Sequence, residues 1–71
     1  RVTGPVLIRS LQRAGWYRDH QTGSHVFLRH PAHPGVTVNV PYHAGQIVKP
    51  AILLRILDQA DLSAEELRDL L

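Results

Sequence analysis

The sequence predicts an α+β domain: a three-stranded antiparallel sheet with helices on one face, in the order α-β-β-β-α-α. Three observations carry this. Apolar residues recur at helical spacing before residue 15. Three β-rich runs separated by turn residues follow between residues 15 and 40. Beyond residue 50 come a second helical stripe and a capping-box signature. Strands grouped between helices argue for α+β, and the short connections argue for antiparallel pairing.

Thr3-Gly4-Pro5 reads as a helix start, with Thr3 as N-cap and proline in the first turn, where its missing N–H costs nothing. Leu7, Ile8, Leu11 and Ala14 form the apolar stripe, Arg9, Gln12 and Arg13 take the other side, and Gly15 closes the helix. The strand region opens with Trp16-Tyr17-Arg18-Asp19-His20-Gln21 and turns at Thr22-Gly23-Ser24. It continues through His25-Val26-Phe27-Leu28-Arg29, turns again at Pro34-Gly35, and ends in Val36-Thr37-Val38-Asn39-Val40. Alternation puts Val26, Leu28 and His30 on one face of the middle strand and His25, Phe27 and Arg29 on the other. Val36, Val38 and Val40 match the first set, so a dry face lies under the helices. His25, Arg29, Thr37 and Asn39 share the opposite, working face. Phe27 on that face is either an exposed stacking platform or cover for Trp16 or Tyr17, with cover preferred. Trp16, directly after the helix, is read as a cap on the core, with base stacking as the alternative.

Residues 41–45 form a loop. A second helix begins at Pro50 and runs to about Ala60, with Leu53, Ile56, Leu57 and Ala60 inward. Ser63-Ala64-Glu65-Glu66 is a capping box that opens a last helix with Leu67, Leu70 and Leu71 inward.

At 71 residues, 44% of them hydrophobic, the chain is expected to form one domain over residues 1–71, in which a core contributes only about 3–5 kcal/mol net. It contains no cysteine, which excludes disulfides and thiolate zinc sites and suits a reducing, cytoplasmic setting. No apolar run reaches the roughly 18 residues of a membrane span, and no signal peptide is visible. Since the chain begins with Arg1 instead of Met, removal of a few N-terminal residues is expected. A monomer is expected for the free chain.

The net charge of +2 conceals a division. Arg1, Arg9, Arg13, Arg18, Arg29 and Lys49 face only Asp19 in residues 1–50, a net of +5. Arg55 and Arg68 face Asp58, Asp61, Glu65, Glu66 and Asp69 in the remainder, a net of −3. All five histidines lie in the basic part. Such asymmetry points to an anionic partner, nucleic acid first, with a plain solvated surface as the alternative.

The turn at Gly23-Ser24 presents His25 at the start of the middle strand, beside a glycine that lets a ligand approach the backbone. RNA carries its own nucleophile, the 2′-hydroxyl, so one histidine titrating near neutral pH can serve as general acid or base. Gly23 and Ser24 are candidates to hold a phosphate oxygen, and Arg29, Lys49 and Arg13 to follow the backbone. His43 is either a second proton-transfer group or a brace for the Pro41 turn. His20 is a weaker candidate to face His25 across the hairpin. Arg9 and Arg13, four apart on one helix face, either track phosphates or are surface charges. His30 and His33 raise a metal hypothesis, but no spacing brings three ligands together. Solvation explains His33 between its prolines. No metal or cofactor is expected.

The ordered set of signatures resembles the HicA toxin family of toxin–antitoxin systems. The matching pieces are Leu11 through Gly15-Trp16-Tyr17, then Gly23-Ser24-His25, then Val38-Asn39-Val40-Pro41-Tyr42-His43. Leu53, Ile56-Leu57 and Gln59-Ala60-Asp61-Leu62-Ser63 continue the match, which covers residues 6–67. The resemblance implies a double-stranded-RNA-binding-domain-like fold and a small endoribonuclease, an mRNA interferase, that cuts without a metal. It makes His25 the catalytic histidine and implies a partner antitoxin, HicB, that covers the active surface. The sequence departs from the family in two places. Val26 stands where many members carry a second histidine. Ala51-Ile52 and Leu54 stand where members carry Gly-Thr and a basic residue, which removes a phosphate contact that Arg55 is the candidate to replace. The alternative is a non-catalytic RNA-binding module of the same fold, which would not need the triplet ending in His25.

Overall fold

In a computed structural model, which describes residues 1–43 and 45–71, the chain folds as α1 (Gly4–Arg13), β1 (Tyr17–Thr22), β2 (His25–Arg29), β3 (Val38–Pro41), α2 (Pro50–Gln59) and α3 (Ala64–Leu70). The expected α+β architecture is present, with an open three-stranded antiparallel sheet in the order β1-β2-β3. Ala44, in the predicted loop of residues 41–45, lies outside the described residues.

The two longer helices stop by the same device. At the end of α1 the Trp16 amide donates to the Leu11 carbonyl and the Gly15 amide to Gln12. This is a Schellman closure, with Gly15 at φ +99°. At the end of α2 the Leu62 amide donates to Leu57 and the Asp61 amide to Asp58. Here the left-handed position is filled by Asp61, at φ +55°, where glycine is the usual occupant. The Ser63–Glu66 capping box is formed in both directions, as read from the sequence.

The core lies between the helices and one face of the sheet. Val26, Leu28, Val38 and Val40 from the sheet meet Leu7, Ile8 and Leu11 of α1, Ile56 and Leu57 of α2, and Leu67 of α3. Ser10, fully buried, was not on the predicted stripe; its hydroxyl donates to the Val6 carbonyl at 2.9 Å, so that hydroxyl is satisfied.

Four expectations need correction. The third strand is shorter than the run 36–40, because the Val36 amide closes a turn onto the His33 carbonyl and pairing begins only at Val38. Leu71 is exposed: it follows the last residue of α3, and one further residue turns about 100° away from the inward stripe. Phe27 does not find its ring partner in Trp16 or Tyr17. It stacks on His20, with centroids 4.5 Å apart and planes 9° from parallel. His33 is half-buried and lies flat on Trp16, at 5.3 Å and 19°, so packing and not solvation explains it.

The β2–β3 pairing decides which groups face outward. The Tyr42 amide donates to the Ser24 carbonyl, and His25 pairs with Pro41, Val26 with Val40 and Phe27 with Asn39. Bonding pairs alternate along an antiparallel ladder, so the backbone groups of Asn39 and Pro41 point away from β2. Proline at 41 therefore sacrifices no ladder bond. The outward Asn39 carbonyl accepts from Arg55 of α2 at 3.1 Å, which ties α2 to the free edge of the sheet.

Candidate active site

Two residues, Gly23 and Ser24, connect β1 to β2, with Thr22 opposite His25. Gly23 has φ +56° and Ser24 does not share the positive value, the signature of a type II′ hairpin turn with glycine at its first central position. A Cβ at Gly23 would meet nothing within 4 Å, so the turn is open to an approaching ligand. The turn puts His25 at the exposed start of β2, with its side chain on the face away from the core.

There the His25 ring meets Asn39. Its Nδ1 lies 3.0 Å from Asn39 Oδ1, across the diagonal of the β2–β3 ladder. An amide oxygen only accepts, so Nδ1–H is the donor, and in the neutral ring Nε2 keeps its lone pair. His25 also borders a cleft of about 330 Å³, whose lining includes His43, Gln46, Ile47, Lys49 and Ile52. Lys49 is the exposed N-cap residue of α2 and makes no side-chain capping bond. Neither ion pair found among the described residues involves it.

The remaining predicted residues are spread more widely. Arg29 shares the open face but lies 3.7 Å from Asp19, at the irregularity of β1 between Arg18 and His20. His20 does not face His25. It pairs with Phe27 and donates from Nδ1 to Asp19 at 2.8 Å. Arg13 is not gathered to the cleft: its guanidinium donates to the Leu70 carbonyl at the end of α3, bracing α1 against α3. His30 is committed to structure, since the Ala32 amide donates to its Nδ1 and its Nε2–H donates to the Ala14 carbonyl. No group of three or more histidines or carboxylates that could hold a metal ion converges among the described residues. No helix among them is long and apolar enough to cross a membrane.

Sequence reasoning did not select Asn39, Gln46, Ile47 or Ile52 as site residues. For Asn39 the signal was present, because strand alternation already put it on the face of His25. The other three come from the loop and α2, whose approach to His25 no local pattern reports.

A histidine with one nitrogen held and the other free, beside an unpaired ammonium in a cleft, is an arrangement that can bind an anion and exchange a proton with it. No curated protein matches the chain. The family model described as HicA toxin of bacterial toxin–antitoxin matches residues 5–62, a span that holds the His25 turn, all three strands and the whole of α2. Because that match spans most of the 71 residues, the chain belongs to the HicA toxin family.

Proposed function

We propose that this toxin is a metal-independent endoribonuclease of the mRNA interferase type, acting in the cytoplasm and held silent by a HicB-like antitoxin. The observation that carries the reading is the position of His25, exposed at the rim of a cleft shared with His43 and Lys49. His25 Nε2 takes the proton of a ribose 2′-hydroxyl. The 2′-oxygen then bonds to phosphorus, the bond to the 5′-oxygen breaks, and a 2′,3′-cyclic phosphate remains. His43, in the same cleft, is the group able to return a proton to the leaving 5′-oxygen. General acid–base help of this kind is worth roughly 10²–10⁴ in rate. Lys49 and the uncapped first turn of α2 offer positive charge and free amides to the phosphate. Those amides belong to the backbone, so the Ala51-Ile52 departure leaves them in place. Gly23 and Ser24 supply an open turn for the approaching strand, and Arg29 a partly offset charge beyond it. DNA binds without reacting, because it lacks the 2′-oxygen.

The test is RNA cleavage in EDTA by the wild-type chain and by His25→Ala, with the product ends identified. The wild type is expected to leave cyclic phosphate ends, and the variant to bind RNA without cutting it. Cleavage that survives in the variant removes His25 from the chemistry. Binding without cleavage by the wild type selects the non-catalytic RNA-binding module instead.

A further inference from the structure

We infer that Asn39 is the positioning residue of His25: its side-chain oxygen sets the imidazole tautomer, so that Nε2 alone is the proton-exchanging nitrogen. The inference rests on the ribonuclease reading for its consequence in catalysis, but not for its geometry. Two observations and one chemical argument support it. Asn39 Oδ1 lies 3.0 Å from His25 Nδ1. An amide oxygen accepts from Nδ1–H whether the ring is neutral or protonated, so a proton can come and go at Nε2 without breaking this bond. The Asn39 residue is itself held, half-buried in β3, opposite Phe27 in the ladder and with its outward carbonyl bound by Arg55 at 3.1 Å. Arg55 thus acts on the site through the backbone of Asn39, a structural task distinct from the phosphate contact expected of it.

An unconstrained neutral imidazole distributes its proton between both nitrogens. A ring with Nδ1 bare and Nε2 protonated would present a donor to the 2′-hydroxyl where an acceptor is needed. Asn39 removes that unproductive population and fixes the ring plane. Orienting partners of this type have a known scale in metal sites, where their loss costs 10–100-fold.

The experiment measures the His25 tautomer by long-range ¹H–¹⁵N correlation in the wild type, Asn39→Leu and Asn39→Asp, alongside kcat and KM on an RNA substrate. Nδ1 of neutral His25 is expected to carry the proton in the wild type and to lose that preference in Asn39→Leu. In Asn39→Leu, kcat is expected to fall roughly 10–100-fold with KM unchanged. Asn39→Asp returns an acceptor to the same place and is expected to restore both the tautomer and most of kcat. An Nε2–H tautomer in the wild type, or an unchanged tautomer in a folded Asn39→Leu, overturns the inference. So does wild-type kcat in Asn39→Leu when His25→Ala is inactive. If no variant cuts RNA, the wild type included, while the tautomer responds as described, the ribonuclease reading fails and the Asn39 hold stands.

Discussion

His30 donates from Nε2 to the carbonyl of Ala14 at 3.0 Å, and this bond fastens the end of β2 to the last turn of α1. The ring passes so close to Gly15 that a Cβ there would sit 2.5 Å from Nε2. Trp16 completes the junction, edge-on to His30 and stacked with His33.

Gly15→Ala meets two penalties, a positive φ and that contact. Residues forced into such backbone conformations cost of order 1–3 kcal/mol, so a loss of about 2 kcal/mol is expected, or roughly 8–16 °C in Tm for a domain of this size. Thermal melting by circular dichroism measures it. Adding His30→Ala removes the clash, and the double variant should be less destabilised than the sum of the singles. Strict additivity would mean that the two residues do not meet.

Asp61 occupies the left-handed closing position of α2 at φ +55°, where an L side chain is strained by roughly 1–2 kcal/mol. Glycine relieves the strain but has more chain entropy to lose, about 0.5–1 kcal/mol. Asp61→Gly is therefore expected to stabilise the fold by about 0.5 kcal/mol. A shallow rise in Tm, seen in the same melting assay, is the expected sign; a fall would mean that the Asp61 side chain contributes something the backbone geometry does not reveal.

Lys49 brings an exposed positive charge to the cleft. If it contacts a phosphate, Lys49→Ala should weaken RNA binding uniformly across sequences. It should also reduce the slope of log affinity against log salt by about 0.7, the counterion-release value for one single-strand contact. Arg13→Ala is the contrasting control, because its guanidinium braces the end of α3. That change should lower stability and leave the salt slope where it was.

His43 has two readings that kinetics separates. As the group that protonates the leaving 5′-oxygen, its replacement by alanine should lower kcat by about 10² or more with KM little changed. As a brace for the turn, the same change should lower Tm and leave kcat almost intact.

Strand alternation made the dry face of the sheet legible, because Val26, Leu28, Val38 and Val40 obey a period of two that nothing overrides. The capping box of α3 and the glycine stop of α1 were legible for a similar reason: a cap is made by residues within six positions of one another. His25 was legible because the two-residue turn beside it admits one register. The role of Arg13 was not, since its partner is the Leu70 carbonyl, 57 residues away. The stack of His33 on Trp16 was hidden for a similar reason; that of Phe27 on His20 follows from the hairpin register and was missed.

By itself, the sequence determined the order and type of the elements, the caps of α1 and α3, and which face of the sheet stays dry. These depend on short-range sterics and on the periodicity of apolar residues. Tertiary structure alone decided that Asn39 grips His25, that α2 brings Lys49 and Ile52 to the same cleft, and that Arg13 braces the end of α3 instead of serving the site. Those outcomes follow from how strands and helices dock after they form. Docking joins groups far apart in the chain, and the residues next to each of them carry no record of it.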